Sequence, residues 1–297
     1  MLSYKVNFRL PAIALILLIL LSLVAKSAFS VEVVRHNNIK SAKESYQLAL
    51  LKLALSYSSK RYSFQESSEY LTQNKLLSDL EQGKIDVAWV GTSKEYEDKF
   101  LPVRVPLFKG LLGHRIFLIR KGEQAKFDRV ATLSQLAQLK AGQVASWTDA
   151  QILQDAGLTL VGTNKYQNLF YMLEGGRFDY LPRSVYSPWA EMQAHPELDI
   201  TVEEHLMVIY PLPAYIFVNK SNQQLYRDIY DGLLKAVEDG QFDEYFYSHP
   251  LIKEGLERSK LHNRTVLKVP NRYLTPETPT DDARLWFDVD AYINKSN

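Results

Sequence analysis

The chain contains no cysteine, which excludes a disulfide framework, a thiolate zinc site and a thiol nucleophile together. It has almost no net charge. The 297 residues hold 35 basic and 34 acidic side chains, so no bulk field draws it to nucleic acid. Its six histidines, at 36, 114, 195, 205, 249 and 262, show no metal-ligand spacing, so no metal is expected. G-x-S-x-G, G-x-G-x-x-G and the phosphate-cradling Walker A run are all missing, and no cofactor is expected either. There is no internal repeat and no low-complexity segment. What remains is 46% apolar residues, 18 tyrosines and 4 tryptophans, ample material for an aromatic-lined pocket. The length suggests about two domains.

Long apolar runs are scarce as well, with one exception. Lys5 and Arg9 precede an apolar stretch from Leu10 to Ala25, followed by Lys26 and the small-residue segment Ser27-Ala28-Phe29-Ser30. A basic start, an apolar core and a small-residue end are the parts of a secretory signal peptide. The run is short for a membrane span, which needs about 20 apolar residues. Residues 1–30 are therefore expected to be a signal peptide and the protein to be periplasmic. Without residues 1–30 the chain keeps 32 basic and 34 acidic residues, a net −2.

The remainder alternates strand and helix signals, an α/β pattern. Val31–Arg35 predicts a strand, the run after Asn38 a helix, and Thr72–Gln82 a second helix stopped by Gly83. Strands follow at Lys84–Val90 and His114–Arg120, then at Gln143–Ser146, Leu158–Val161 and Phe178–Leu181, with helices between them. A strand at Tyr215–Lys220 and a helix over Gln224–Asp239 come next, and the proline-rich tail Leu267–Pro279 predicts an irregular wrap.

Four stretches carry a resemblance. They are LLSDLEQGKIDVAWVGTS (76–93), GHRIFLIRKGE (113–123), TLSQLAQLKAGQVASW (132–147) and LFYMLEGGRFDYLPRSV (169–185), with YIFVNKSN (215–222) as a return strand. In this order and spacing the chain resembles the bacterial extracellular solute-binding proteins of family 3. That resemblance implies a type 2 periplasmic binding protein-like α/β fold of two lobes joined by two hinge strands, each lobe a central sheet flanked by helices. Lobe one would be 31–116 plus 217–297 and lobe two 117–216. A small molecule would sit between the lobes, and hinge closure would enclose it. The partner would be an ABC transporter permease or a membrane sensor, and the protein a monomer. An enzyme on the same fold, resembling cyclic-acid dehydratases, is the alternative.

Two departures from the family's amino-acid-binding members bear on the ligand. Those members place an arginine shortly after the loop that corresponds to Gly91-Thr92-Ser93, and an acid at the end of the lobe-two strand. Here Lys94–Asp98 contains no arginine, and the strand runs into Leu181-Pro182-Arg183. An anionic or carboxylate-bearing ligand is therefore expected, gripped by Arg183 with Arg115 as a second cation. For Arg183 the competing role is an ion pair with an acid such as Glu191, and for Arg115 a structural charge on the hinge strand. Thr92 and Ser93 are candidates for hydrogen bonding to ligand or for capping the next helix. Trp147 and Tyr186 are candidate stacking platforms or packing residues, and Thr148 or Asp149 the expected cap of the helix after Trp147.

Overall fold

A computed structural model describes residues 31–295. The expected signal peptide, residues 1–30, lies outside the described residues. Among the described residues no helix is long and apolar enough to cross a membrane.

The chain opens with β1 (Val31–His36), α1 (Ala42–Ser56), β2 (Arg61–Glu66), α2 (Gln73–Glu81), β3 (Val87–Gly91), α3 (Lys94–Lys99) and β4 (Leu101–Val103). It crosses over through β5 (His114–Arg120) and builds α4 (Leu133–Leu136), β6 (Lys140–Val144), α5 (Thr148–Asp155), β7 (Thr159–Thr163), α6 (Asn168–Glu174), β8 (Tyr180–Ser184), α7 (Pro188–Ala194), β9 (Ile200–Val202) and β10 (Leu206–Ile209). It returns through β11 (Ala214–Val218) to α8 (Gln223–Glu238), α9 (Gln241–Ser248) and α10 (Pro250–Ser259), and ends with β12 (Thr265–Lys268) and α11 (Val289–Lys295).

The first lobe pairs β1 with β2 in parallel and sets β11 antiparallel between β3 and β4. Arg35 and Asp86 join the two ladders, through a forked ion pair and an Asp86 N–H donated to the Arg35 carbonyl at 2.9 Å. Side-chain alternation on β11 explains why its sheet is covered on both faces. Ala214, Ile216 and Val218 enter one core with α1 and α8, whereas Tyr215 and Phe217 enter another with Leu76, Leu77 and Leu80 of α2. Helices α1 and α8 touch backbone to backbone at Gly232, where a Cβ would lie 2.0 Å from the Ala54 carbonyl oxygen.

The second sheet runs β12-β10-β5-β8-β6-β7, with β9 also on β5. Along β5, Phe117 and Ile119 face one core and Leu118 the other, so this sheet too is a sandwiched layer. Two crossing segments lie against each other at the waist. A Cβ on Gly113 would stand 1.9 Å from the Tyr210 carbonyl oxygen, so only glycine fits there.

Three local expectations change. Strand β8 continues through Pro182 to Ser184, so Arg183 lies inside the strand opposite Ile116 rather than beyond its end. Because β6 pairs with β8 only at Tyr180, one edge of β8 makes no ladder at Pro182, and the missing N–H costs nothing there. Strand β6 ends at Val144, which leaves Ser146 and Trp147 in the turn before α5. The supposedly irregular tail begins with β12, parallel to β10, where Leu267 and Val269 complete an apolar core.

Candidate functional site

Three cations gather where the lobes face each other, and they differ in how far they are satisfied. Arg115, second in β5, is buried. Its Nη2 pairs with Asp149 Oδ2, its Nε donates to the Tyr210 hydroxyl at 2.7 Å and its Nη1 to Ser184 Oγ at 3.0 Å. Asp149 is therefore not a helix cap; its carboxylate also accepts from the Tyr210 hydroxyl at 2.9 Å. Burial opposes the charge on Arg115, but the neighbouring Tyr210 and Asp149 override it and hold the guanidinium above its ordinary value.

Arg183 is buried in β8 and makes a fork on Glu191 of α7, through Nε at 2.8 Å and Nη2 at 2.5 Å. The acid is the one named as its competing partner. The guanidinium is also flanked by two rings, with its central carbon 5.3 Å from the Trp147 centroid and 5.2 Å from that of Tyr166. The Tyr166 hydroxyl donates to Glu191 at 2.8 Å. Arg183 Nη1 is buried and meets no acceptor among the described residues.

Lys43, in the first turn of α1, makes no ion pair among the described residues. Its side chain reaches solvent, yet its ammonium is lowered to about 8. Loss of hydration is the largest cause, followed by the charges of Arg183 and Arg115. Its nearest acids are committed elsewhere. Glu44 Oε2 accepts from Lys40 N–H and Ser41 Oγ at the helix start, and Glu191 holds Arg183.

The remaining candidates divide between packing and the cleft wall. Thr92 is buried and donates its hydroxyl to Glu97 Oε1 at 2.6 Å, while Ser93 Oγ caps α3 by accepting Tyr96 N–H at 3.3 Å. Tyr186 is buried with its ring stacked on Phe108 at 4.8 Å, and Phe108 stacks on Tyr46 of α1 at 4.8 Å. Burial pushes the Tyr186 hydroxyl up to about 12, so it stays protonated. Ser93 and Trp147 look from opposite lobes into a chamber of about 880 Å³, also lined by Arg104, Gln143, Tyr273 and Thr275. Among the described residues no group of His, Asp and Glu could hold a metal ion.

No family model matches the chain, and no curated protein matches it. The likeness is one of structure. An ancestral arginine-binding protein bound to arginine superposes with a TM-score of 0.54 at 19% identity, over 73% of this chain and 97% of that one. YtmK of Bacillus subtilis, described as a probable amino-acid ABC transporter extracellular-binding protein, gives 0.55 at 16% identity, over 74% and 98%. A chain from work on glutathione import through GshT and the cystine ABC importer TcyBC of Streptococcus mutans gives 0.54 at 13%, over 74% and 95%. The chain has the two-lobed fold of the solute-binding proteins.

Within this fold Trp147 lies between the cation group and the chamber. One side of its environment is the Arg183 guanidinium, and the other is the chamber shared with Ser93. Thr92 is turned away into the Glu97 network, and Tyr186 is packed in a ring stack on Phe108. Lys43, Tyr166, Gln143 and Tyr210 were not singled out by sequence reasoning. Only Lys43 carried a signal. A cation in the first turn of a helix opposes the macrodipole, and such a placement needs a compensating reason.

Proposed function

We propose that the protein captures a small anionic solute, a carboxylate in the first instance, between its two lobes. It would act as an exported, monomeric binding protein that passes the solute to a membrane permease or reports it to a membrane sensor. The observation that carries this reading is a pair of unanswered donors. Among the described residues Lys43 has no ion-pair partner and Arg183 Nη1 has no acceptor, although both belong to one cation group with Arg115. An incoming carboxylate would relieve the repulsion that lowers the Lys43 ammonium and would satisfy the free edge of the Arg183 fork.

Binding without turnover is favoured by the state of Asp149, an acid buried beside the cation group. Its carboxylate is held by Arg115 and Tyr210, which leaves it as a buried counter-ion.

Isothermal titration against mono- and dicarboxylates, inorganic phosphate and neutral and cationic amino acids tests the reading. A carboxylate should bind best, and Lys43→Met should weaken it roughly tenfold to a hundredfold, the size of one charge-assisted hydrogen bond. Tighter binding of a cationic amino acid, or an unchanged affinity in Lys43→Met, overturns it.

A further inference from the structure

After β12 the chain does not stay with the second lobe. Val269 N–H donates to the Ile209 carbonyl at 2.8 Å and Asn271 Nδ2 to the Pro211 carbonyl at 2.8 Å, so the segment leaves along the waist. Arg272 then pairs with Asp155 of α5 at 2.7 Å, and the Tyr273 hydroxyl donates to the same carboxylate. Two residues later Thr275 Oγ1 donates at 2.8 Å to Glu97 Oε2 of α3, in the opposite lobe. The segment ends on the first lobe, where Phe287 N–H donates to the Lys109 carbonyl at 2.7 Å. This is a further crossing between the lobes, made after β12, and residues 272–277 line the chamber.

The two ends of this crossing are unequal. Glu97 is only 3% exposed at its side chain and is held by Thr92, Arg104 and Thr275 together. Asp155 and Arg272 are 28% and 70% exposed, in the range where ion pairs are weak and easily exchanged for water. The second-lobe end is therefore the weaker attachment. Behind the strap, Gln143 Nε2 and Arg104 Nε are buried donors without an acceptor among the described residues, and both residues line the chamber. The Gln143 residue is 1% exposed, so no bulk water reaches its amide.

We propose that residues 271–277 are a latch on the cleft, anchored at Glu97 and releasing at Asp155. It encloses a chamber in which Gln143 and Arg104 donate to an acceptor group of the solute. The solute half of this inference rests on the anion-binding reading above; the interlobe half does not.

The double variant Tyr273→Phe/Thr275→Val removes both hydroxyl donors at nearly constant size. Without solute, its amides over 271–278 should exchange faster and its radius of gyration by small-angle scattering should rise. With the carboxylate that binds wild type best, stopped-flow rates of association and dissociation should both rise about tenfold, with Kd changing less than threefold. Gln143→Leu should weaken that carboxylate about tenfold and leave amide exchange and scattering at wild-type values. Asp155→Asn repeats the unlatching from the other side, and matched far-UV circular dichroism shows that each variant is folded. Unchanged exchange, scattering and rates in both unlatched variants overturn the latch. Faster exchange in a protein that binds no carboxylate keeps the latch and removes the solute reading. Unlatched behaviour with undiminished carboxylate binding in Gln143→Leu removes the chamber donors alone.

Discussion

Arg115 and Lys43 lie in the same cation group and have opposite fates. Every donor nitrogen of Arg115 is used, on Asp149, Ser184 and Tyr210, whereas Lys43 holds no ion-pair partner among the described residues and loses proton affinity to its neighbours. Arg183 stands between them, with two nitrogens on Glu191 and one unfilled. The series separates cations that build the waist from cations that are available to a ligand. Charge type alone would have put all three in the binding site; only the count of filled donors sorts them.

The sharpest way to break this comparison is to remove the fully used member. Arg115→Met leaves Asp149 buried without its cation, and such a loss costs about 3–5 kcal/mol. Urea unfolding should show that drop, and replacing both members, Arg115→Met with Asp149→Leu, should recover a large part of it. A single variant within about 1 kcal/mol of wild type would mean that Arg115 is free for ligand after all.

His114, one residue earlier on β5, extends the contrast to a group that burial keeps neutral. Burial is the main cause that brings its imidazole down to about 4, with the Arg115 charge adding to it against a hydrogen bond to the Gly110 carbonyl. Its folded value is depressed below that of the unfolded chain, near 6.5. Stability is therefore complete above about pH 6.5 and falls toward pH 4 as only the unfolded chain takes up the proton. The loss is about 3 kcal/mol. Chemical denaturation at pH 7 and pH 4.5 measures it, and His114→Gln should flatten the difference.

Much of this was legible in residue order, and the limits have physical causes. Strand and helix alternation and the glycine stops identify an α/β chain, because periodicity reports which faces are buried, whereas the two-lobed layout came from the family resemblance. Arg183 stood out because it replaces an acid expected from the resemblance. Its partner Glu191 is eight residues on, close enough in sequence to be weighed as a rival to a ligand. Asp149 pairs with a residue 34 positions away, and Tyr210 with one 95 away, so no local pattern reveals that they neutralise Arg115. Lys43 shows locally only as a cation in the first turn of a helix, and what makes it informative is the Arg183 charge on another lobe. The tail was misjudged because a strand of four residues pairs only when the rest of the sheet exists.

Lys43 gives the comparison a pH signature of smaller size. In the solute-free protein its ammonium titrates near 8, and a bound anion would raise that value toward the ordinary 10.4. Below pH 8 the lysine is charged with or without solute, so affinity is flat. Above pH 8 binding requires proton uptake, and affinity should fall by up to tenfold by about pH 9. Titrations between pH 6 and 9 measure this, and Lys43→Met should abolish the slope. The same depressed value means that charging Lys43 works against the empty fold at pH 7. Lys43→Met should therefore melt slightly higher than wild type without solute, while an arginine with filled donors moves the other way.

The smallest effect concerns Ser93, which faces the chamber but spends its hydroxyl on α3. Ser93 Oγ accepts Tyr96 N–H, one of the donors that a helix start leaves unpaired. Ser93→Ala should therefore cost about 1 kcal/mol of stability, the usual size of a lost cap, and Ser93→Asp should retain it. If the hydroxyl served ligand and not helix, the order would reverse, with stability unchanged and solute affinity lost in both variants. Thermal melts and one titration on the pair separate these outcomes. The expected result assigns Ser93 to the building residues, on the side of Arg115, and leaves the unfilled donors of Lys43, Arg183, Gln143 and Arg104 to recognise the solute.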